Sequence, residues 1–478
     1  MPGKASVGLG DRIYQASPNW LQTFLLNAYA GRLRLRRSGR QFRAISTEWD
    51  RSERWPSDRL RELQDARVRD LVHYAYDRVP FYRRHWDEHG VRVRQVQGVA
   101  DLAQLPAVTK THVRAAGDEM LRDGNRNGLF HGHTSGTTGS PLSLWYDRDM
   151  LVVNNVAHWR QRRWAGCTPG TWCALLLGRV VVPPERREPP FWRVDYAEHH
   201  LWCSTFHLSE ENLHLYVREL RARGIRFIEG YPSTLFILAR HLQRQGLTLP
   251  MTAVFTSSET LHAVQREAIS QAFAAPVFDF YGSAERVIFA GECAQHAGKH
   301  LFDEYGVTEV TDDAGNPVAP GARGFLTGTS LWNRGMPMIR YQSSDVTRLM
   351  PEPCACGRTL GRMADITTKA EDIVMTPDGR FISPSVLTHP FKPFDQILKS
   401  QVVQDGADHV TVSIVAGASF TSDHRAQLEH GLRARLGDRM RVDTQLVDEI
   451  PSETSGKFRW VVCRVPHDRA VNWEAAET

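Results

Sequence analysis

The sequence predicts an α/β fold: a large N-terminal domain of layered, mostly parallel sheets and helices (residues 1–370), then a small α+β C-terminal domain (residues 371–478). Three observations carry this. Short apolar runs alternate with helix-periodic stretches through the middle of the chain, the pattern of parallel strands joined by helices. Past about residue 370 that alternation gives way to a hairpin signal and a mixture of strand and helix patterns. The 478 residues also exceed what a single compact core accommodates.

In chain order, NWLQTFLLNAYAGRLRLRRSGR (residues 19–40) sets Leu21, Phe24, Leu25 and Ala28 at helical spacing, and Arg32, Arg34, Arg36, Arg37 and Arg40 follow. This basic amphipathic arm, near 18–45, reads either as a helix docked on its own protein or as a peripheral contact with an anionic membrane surface. Next, SDRLRELQDARVRDLVHYAYDRV (57–79) is helical and broken by Pro80. GIRFIEG (224–230) is a short apolar strand, and PSTLFILARHLQRQG is a helix with proline at its start and glycine at its end. MTAVFTSSETLHAVQREAISQAF (251–273) repeats strand, polar turn and helix, and APVFDFYGSAE (275–285) gives a third strand running into a polar turn. Ligands bind beyond the carboxyl ends of such strands. Those ends carry Gly230-Tyr231, Ser257-Ser258-Glu259 and Tyr281-Gly282-Ser283-Ala284-Glu285, a set suited to a nucleotide with its metal.

In the C-terminal part, EDIVMTPDGRFISPSVL carries a Pro-Asp-Gly turn between apolar stretches, a hairpin signal. HVTVSIVAG alternates like a strand, HRAQLEHGLRARLG has helical spacing, and MRVDTQLVDEI reads as a further strand. Together they suggest a unit of about a hundred residues.

Composition narrows the class. Apolar residues at 41% and charged residues at 24% are ordinary for a globular enzyme. A net charge of +5 is too small for its length to argue for nucleic acid. Seven cysteines, odd in number and unevenly spread, argue against a disulfide scaffold and for a reducing, cytoplasmic setting. The sequence lacks an apolar run of about 18 residues, and its first residues do not have a secretory layout.

The chemistry begins in HGHTSGTTGSP. Thr134, Ser135, Gly136, Thr137, Thr138 and Gly139 alternate hydroxyls with glycines, so backbone N–H groups and hydroxyls can converge on one anion. Ser140 and Pro141 follow, so the lysine that closes a Walker-type loop is missing and a P-loop phosphotransferase is excluded.

HTSGTTGSP, FYGSAE, RYQSSDV and PSETSGKFRW fall in the order and rough spacing of the acyl-adenylate-forming enzymes, which the chain resembles from about residue 60 to 465. CACGRTLGRM, RVPFYRRHW and TPDGRFISPSVL resemble the phenylacetate–CoA ligase branch, particularly its CapK-like members. The resemblance implies a small C-terminal domain that is mobile, and assigns roles that the chemistry justifies. A carboxylate oxygen attacks the α-phosphorus of ATP and expels pyrophosphate, a reaction served by positioning and charge neutralisation. Residues 134–139 would hold the phosphates, with Ser258, Glu259, Gly282 and Ser283 also lining the nucleotide site. Tyr281 would stack on adenine, Glu285 would hold Mg²⁺ and Asp345 would accept from the ribose hydroxyls. Lys457 would bridge the carboxylate and the α-phosphate.

The resemblance also places a hinge at TTKAED. Thr368-Lys369 replaces the family's Gly-Arg, and Asp372 is the hinge candidate. Cys293, His300, Cys354 and Cys356 are a donor set suited to a structural Zn²⁺, with His296 in reserve. The implied partners are a carboxylic-acid substrate and CoA. The altered hinge keeps an amine, sugar or carrier-protein acceptor open, and the arginine-rich arm with the missing loop lysine keeps open a non-catalytic nucleotide-binding protein at the membrane.

Overall fold

The computed structural model describes residues 14–134, 142–366, 373–382, 384–394, 396–450 and 459–465. The three middle strands form where the apolar runs place them, over Phe227–Gly230, Ala253–Ser257 and Val277–Gly282. They pair in parallel with one another, and Cys173–Leu176 and His200–Cys203 continue the parallel array outward. Both faces are covered, because strand alternation sends Ile228 and Val254 into one core and Phe227 and Phe255 into another. Helices Pro232–Arg244 and Ala263–Phe273 connect these strands. Pro232 supplies the fixed φ favoured at a helix start.

Beyond Val277–Gly282 the sheet continues as an antiparallel arm: Phe289–Glu292, Lys299–Leu301, Arg362–Met363, Tyr341–Met350, Arg323–Ser330 and Gly306–Thr311. Among the described residues the whole sheet has 13 strands. The arm folds Tyr341–Met350 back toward the strand ends and so brings Asp345 to them.

The basic arm forms two helices, Asn19–Arg37 and Arg40–Ser52, parted at Ser38-Gly39. The first docks on its own protein: Asn27 Nδ2 donates to the Val194 carbonyl at 2.8 Å, and Asn27 Oδ1 accepts from the Tyr196 N–H at 2.7 Å. Trp20, Phe24 and Leu35 remain exposed on it. Among the described residues no helix is long and apolar enough to cross a membrane.

The small unit is a four-stranded sheet ordered Arg441–Leu446, His409–Ala416, Ile397–Gly406 and Val461–Cys463. Helix Ser422–Leu436 packs on it through Leu428, Leu432 and Leu436. The Val374–Met375 and Phe381–Ile382 hairpin turns at Gly379, whose φ of +77° suits glycine. Arg380 stitches the units together, donating to the carbonyls of Phe206 at 3.0 Å and Leu436 at 2.8 Å. The expected boundary at 370/371 and the hinge candidate Asp372 lie outside the described residues.

Candidate active site

Strands Phe130–His133 and Ser143–Tyr146 pair antiparallel and carry the hydroxyl- and glycine-rich loop at their turn. Thr134 closes its base: its Oγ1 accepts from the Leu142 N–H at 2.9 Å, and its own N–H donates to the Leu142 carbonyl at 3.1 Å. Ser135, Gly136, Thr137, Thr138 and Gly139 lie outside the described residues, as does Lys457.

A cavity of about 620 Å³ opens at the carboxyl ends of the parallel strands. Thr134, Ser258, Glu259, Tyr281, Gly282, Ser283, Glu285 and Asp345 all line it. The Tyr281 hydroxyl donates to Asp345 Oδ2 at 2.7 Å, and the Tyr341 hydroxyl donates to Glu285 Oε1 at 2.9 Å. Burial, with the Asp345 charge beside it, pushes the Tyr281 phenol well above its usual range, so it stays a donor. Burial also raises the Glu285 carboxyl, against the opposing donation from Tyr341. Ser283 Oγ is buried with no hydrogen-bond partner among the described residues, a polar atom left for a ligand. Glu259 has a structural duty as well: its Oε2 accepts from the Ser233 N–H at 3.0 Å, where its charge favours the start of helix Pro232–Arg244. Ser258 sits at a φ of +69°, an uncommon conformation for a side-chain-bearing residue and one that clusters at ligand sites.

The same cavity holds residues the sequence reading missed: Lys110, Lys299, Tyr341, Asp365 and Lys392. Lys299 Nζ is 3.0 Å from Asp279 Oδ2 and ion-paired to Asp365. No local sequence signal marks Lys299, because its three-residue strand takes shape only against distant partners. Neighbouring residues of Lys299–Leu301 point to opposite faces, so Lys299 serves the cavity while His300 faces the cysteines.

On that other face Cys293, His300, Cys354 and Cys356 converge, with their ligand atoms within 4.8 Å of one another. Cys293 Sγ and Cys354 Sγ are 3.8 Å apart, and His300 Nε2 is 3.3 Å from Cys356 Sγ. A tetrahedral zinc with Zn–S bonds of about 2.3 Å separates two sulfurs by about 3.8 Å, so the donor set fits the ion. His296 stands apart from it, with Nδ1 3.2 Å from Glu292 Oε2.

A second cavity, of about 690 Å³, lies behind the first and shares part of its wall, including Tyr231, Ser258, Phe280 and Gly282–Ala284.

The chain's relatives are CoA ligases, which supports a ligase-like enzyme. Residues 374–464 match the CapK C-terminal domain family, and the chain as a whole is similar to phenylacetate–CoA ligases and to CapK. It is 29% identical over 350 residues to phenylacetate-coenzyme A ligase of Thermus thermophilus, covering 68% of this chain and 73% of that one. Protein CapK of Staphylococcus aureus is 25% identical over 422 residues, covering 84% and 89%. Among solved structures, 2-hydroxyisobutyryl-CoA ligase in complex with 2-HIB-AMP and CoA has the same fold. Its TM-score is 0.60 at 22% identity, covering 87% of this chain and 92% of that one.

Proposed function

We propose that this protein activates a carboxylic acid with ATP as an acyl-adenylate and passes the acyl group to CoA. One observation carries the reading: Glu285 and Asp345, each bonded by a tyrosine, share a cavity at the parallel strand ends with the hairpin that bears the phosphate-type loop. In the first step the substrate carboxylate oxygen bonds to the α-phosphorus and the bond to the β-phosphate oxygen breaks, so pyrophosphate leaves with the electron pair. In the second step the acceptor sulfur bonds to the acyl carbon, the acyl–phosphate bond breaks, AMP leaves and the thiol proton passes to solvent.

Glu285 is a hard oxygen donor suited to Mg²⁺, which would neutralise the phosphates. Asp345 would accept from the ribose hydroxyls, and Tyr281, fixed by its bond to Asp345, would present its ring to adenine. Residues 134–139 would bind the departing phosphates, and Lys457 would neutralise charge as the α-phosphorus becomes pentavalent. Asp372 would serve as the hinge between the two steps. Similarity of residues 374–464 to the CapK C-terminal domain supports a second reading, in which an amine, sugar or carrier-protein thiol replaces CoA.

ATP–pyrophosphate exchange across a panel of acids tests adenylation. One acid should support exchange, and Lys457→Ala should reduce it at least about 100-fold. ATP binding without exchange by any acid would instead favour a nucleotide-binding protein. AMP release with and without CoA separates the acceptors.

The four-donor cluster supports a structural Zn²⁺ held by Cys293, His300, Cys354 and Cys356, with all four protein ligands supplied and no position left for catalysis. Metal analysis should find one zinc per chain, and Cys354→Ser should lose it and lower the unfolding temperature by several degrees. Purified protein without zinc would sink this assignment. The exposed Trp20, Phe24 and Leu35 support a peripheral contact with an anionic bilayer, checked by co-sedimentation with vesicles before and after Phe24→Ser.

A further inference from the structure

The second cavity is strongly basic. Arg32, Arg36, Arg37, Arg179, Arg286 and Lys392 line it, against a single carboxylate, Glu229. That carboxylate is already engaged, accepting from Arg162 Nε at 3.1 Å and ion-paired to the same guanidinium. Among the described residues none of the six cations has an ion pair. Instead, aromatic rings hold several of them without neutralising them: Arg286 lies 3.8 Å from the Tyr146 ring centre, Arg179 4.7 Å from that of Trp202 and Arg36 5.4 Å from that of Phe130. Arg286 Nη1 is buried with no hydrogen-bond partner among the described residues, and its backbone is held at a φ of +55°.

The cations come from parts of the chain far apart in sequence, so folding itself concentrates them. Burial is the first cause that lowers the Arg37 pKa, and the charges of Arg179 and Arg286 lower it further, against smaller opposing contributions from Tyr29 and Glu198. Gathering like charges around one space costs stability unless an anion occupies it. The wall also carries rings such as Phe130, Tyr146, Phe280 and Phe289, so an aryl or apolar segment fits there, but a purely apolar tail would leave the six cations without a counter-charge.

The shared wall fixes where the reacting end lies. Ser258 and Gly282–Ala284 face both cavities, so an acid whose carboxylate meets the nucleotide on one side extends its remainder toward the arginines on the other. We infer that the acid activated here carries a second anionic group, a carboxylate or a phosphate, recognised by Arg37, Arg179 and Arg286. This rests on the adenylation reading and deepens it by naming the substrate class. Guanidinium groups suit carboxylate and phosphate alike, because their paired N–H donors match two oxygens.

The test compares acids that differ by one anionic group: phenylacetate with 4-carboxyphenylacetate, propionate with succinate, and glycerate with 3-phosphoglycerate. Pyrophosphate exchange is measured without any acyl acceptor, so a phosphate belonging to the acceptor cannot produce the effect. The more anionic member of at least one pair should be preferred about tenfold or more in kcat/KM. Arg37→Gln should abolish most of that preference through KM, leaving the less anionic member unchanged. Arg179→Gln should act the same way, and Arg179 is exposed enough that its loss does not endanger folding. Arg43→Gln, an equal charge change on the next helix, should do nothing. Preference for the less anionic member of every pair, or a preference that survives both cavity variants, overturns the inference while leaving adenylation standing. If no acid supports exchange, calorimetry of the same acids without ATP reads the cavity alone. Tighter binding of the more anionic member, weakened about tenfold by Arg37→Gln, upholds the inference although adenylation fails. Equal binding of both members overturns it.

Discussion

The two cavities are neighbours of opposite charge. The one at the strand ends has Glu259, Asp279, Glu285, Asp345 and Asp365 on its wall against Lys110, Lys299 and Lys392. The one behind it has six cations against one engaged carboxylate. The difference teaches a division of labour. Carboxylates suit a site that must hold a divalent cation and ribose hydroxyls, whereas unneutralised guanidiniums suit a site that must hold an anion. A dianionic acid can bridge the two only with its reacting end at the shared wall, which makes the wall a selector of orientation as well as of charge.

The largest effect that could break this contrast comes from Glu285→Gln. Removing the carboxylate charge proposed to hold Mg²⁺ should lower exchange at saturating acid by at least about 100-fold, in kcat rather than in the acid's KM. Stability should not fall. The carboxyl pKa is raised by burial, so the ionised form costs stability at neutral pH, and the neutral amide can still accept from Tyr341. Arg37→Gln should do the reverse and raise KM with kcat kept. If both variants acted on the same kinetic constant, the two cavities would be one functional site. A smaller effect is expected from Tyr281→Phe. Asp345 loses one donor at 2.7 Å while the ring remains, so KM for ATP should rise about three- to tenfold with the acid's KM unchanged. Titrating each substrate at saturation of the other separates these outcomes.

How far the sequence led follows the same division. The parallel centre was legible because each strand is an apolar run ending in a polar turn, and those turns became the acidic cavity. Asp345 and Tyr281 were singled out by motif, and the structure adds that they bond to each other. The antiparallel arm was not legible. Its strands at Lys299–Leu301 and Arg362–Met363 are two or three residues long, and such pieces acquire strand geometry only from distant partners. The basic cavity was hidden for a related reason. Arg32, Arg36 and Arg37 read as the end of an amphipathic helix, while Arg179 and Arg286, which meet Arg37, lie well over a hundred residues along the chain. Charge convergence of that kind is a property of the fold and leaves no local pattern.

Lys392 is the residue on which the contrast can be sharpened most finely, because it lines both cavities. Burial, then the charges of Arg179 and Arg435, pull its pKa down to about 8. His389, beside it, is held neutral far below its usual range by burial and by Lys392 itself, so the ammonium of Lys392 is what titrates here near pH 8. An anion settling among these cations favours the charged ammonium and raises its pKa. Binding of a dianionic acid at pH 8 should therefore take up to about half a proton from the buffer, and its affinity should decline as pH rises through 8. Calorimetry at pH 8 in two buffers of different ionisation enthalpy measures this directly. A proton taken up by the wild type and not by Lys392→Met would tie the ammonium to the anion. No uptake in the wild type would confine Lys392 to the nucleotide side and leave the arginines to hold the anion without it.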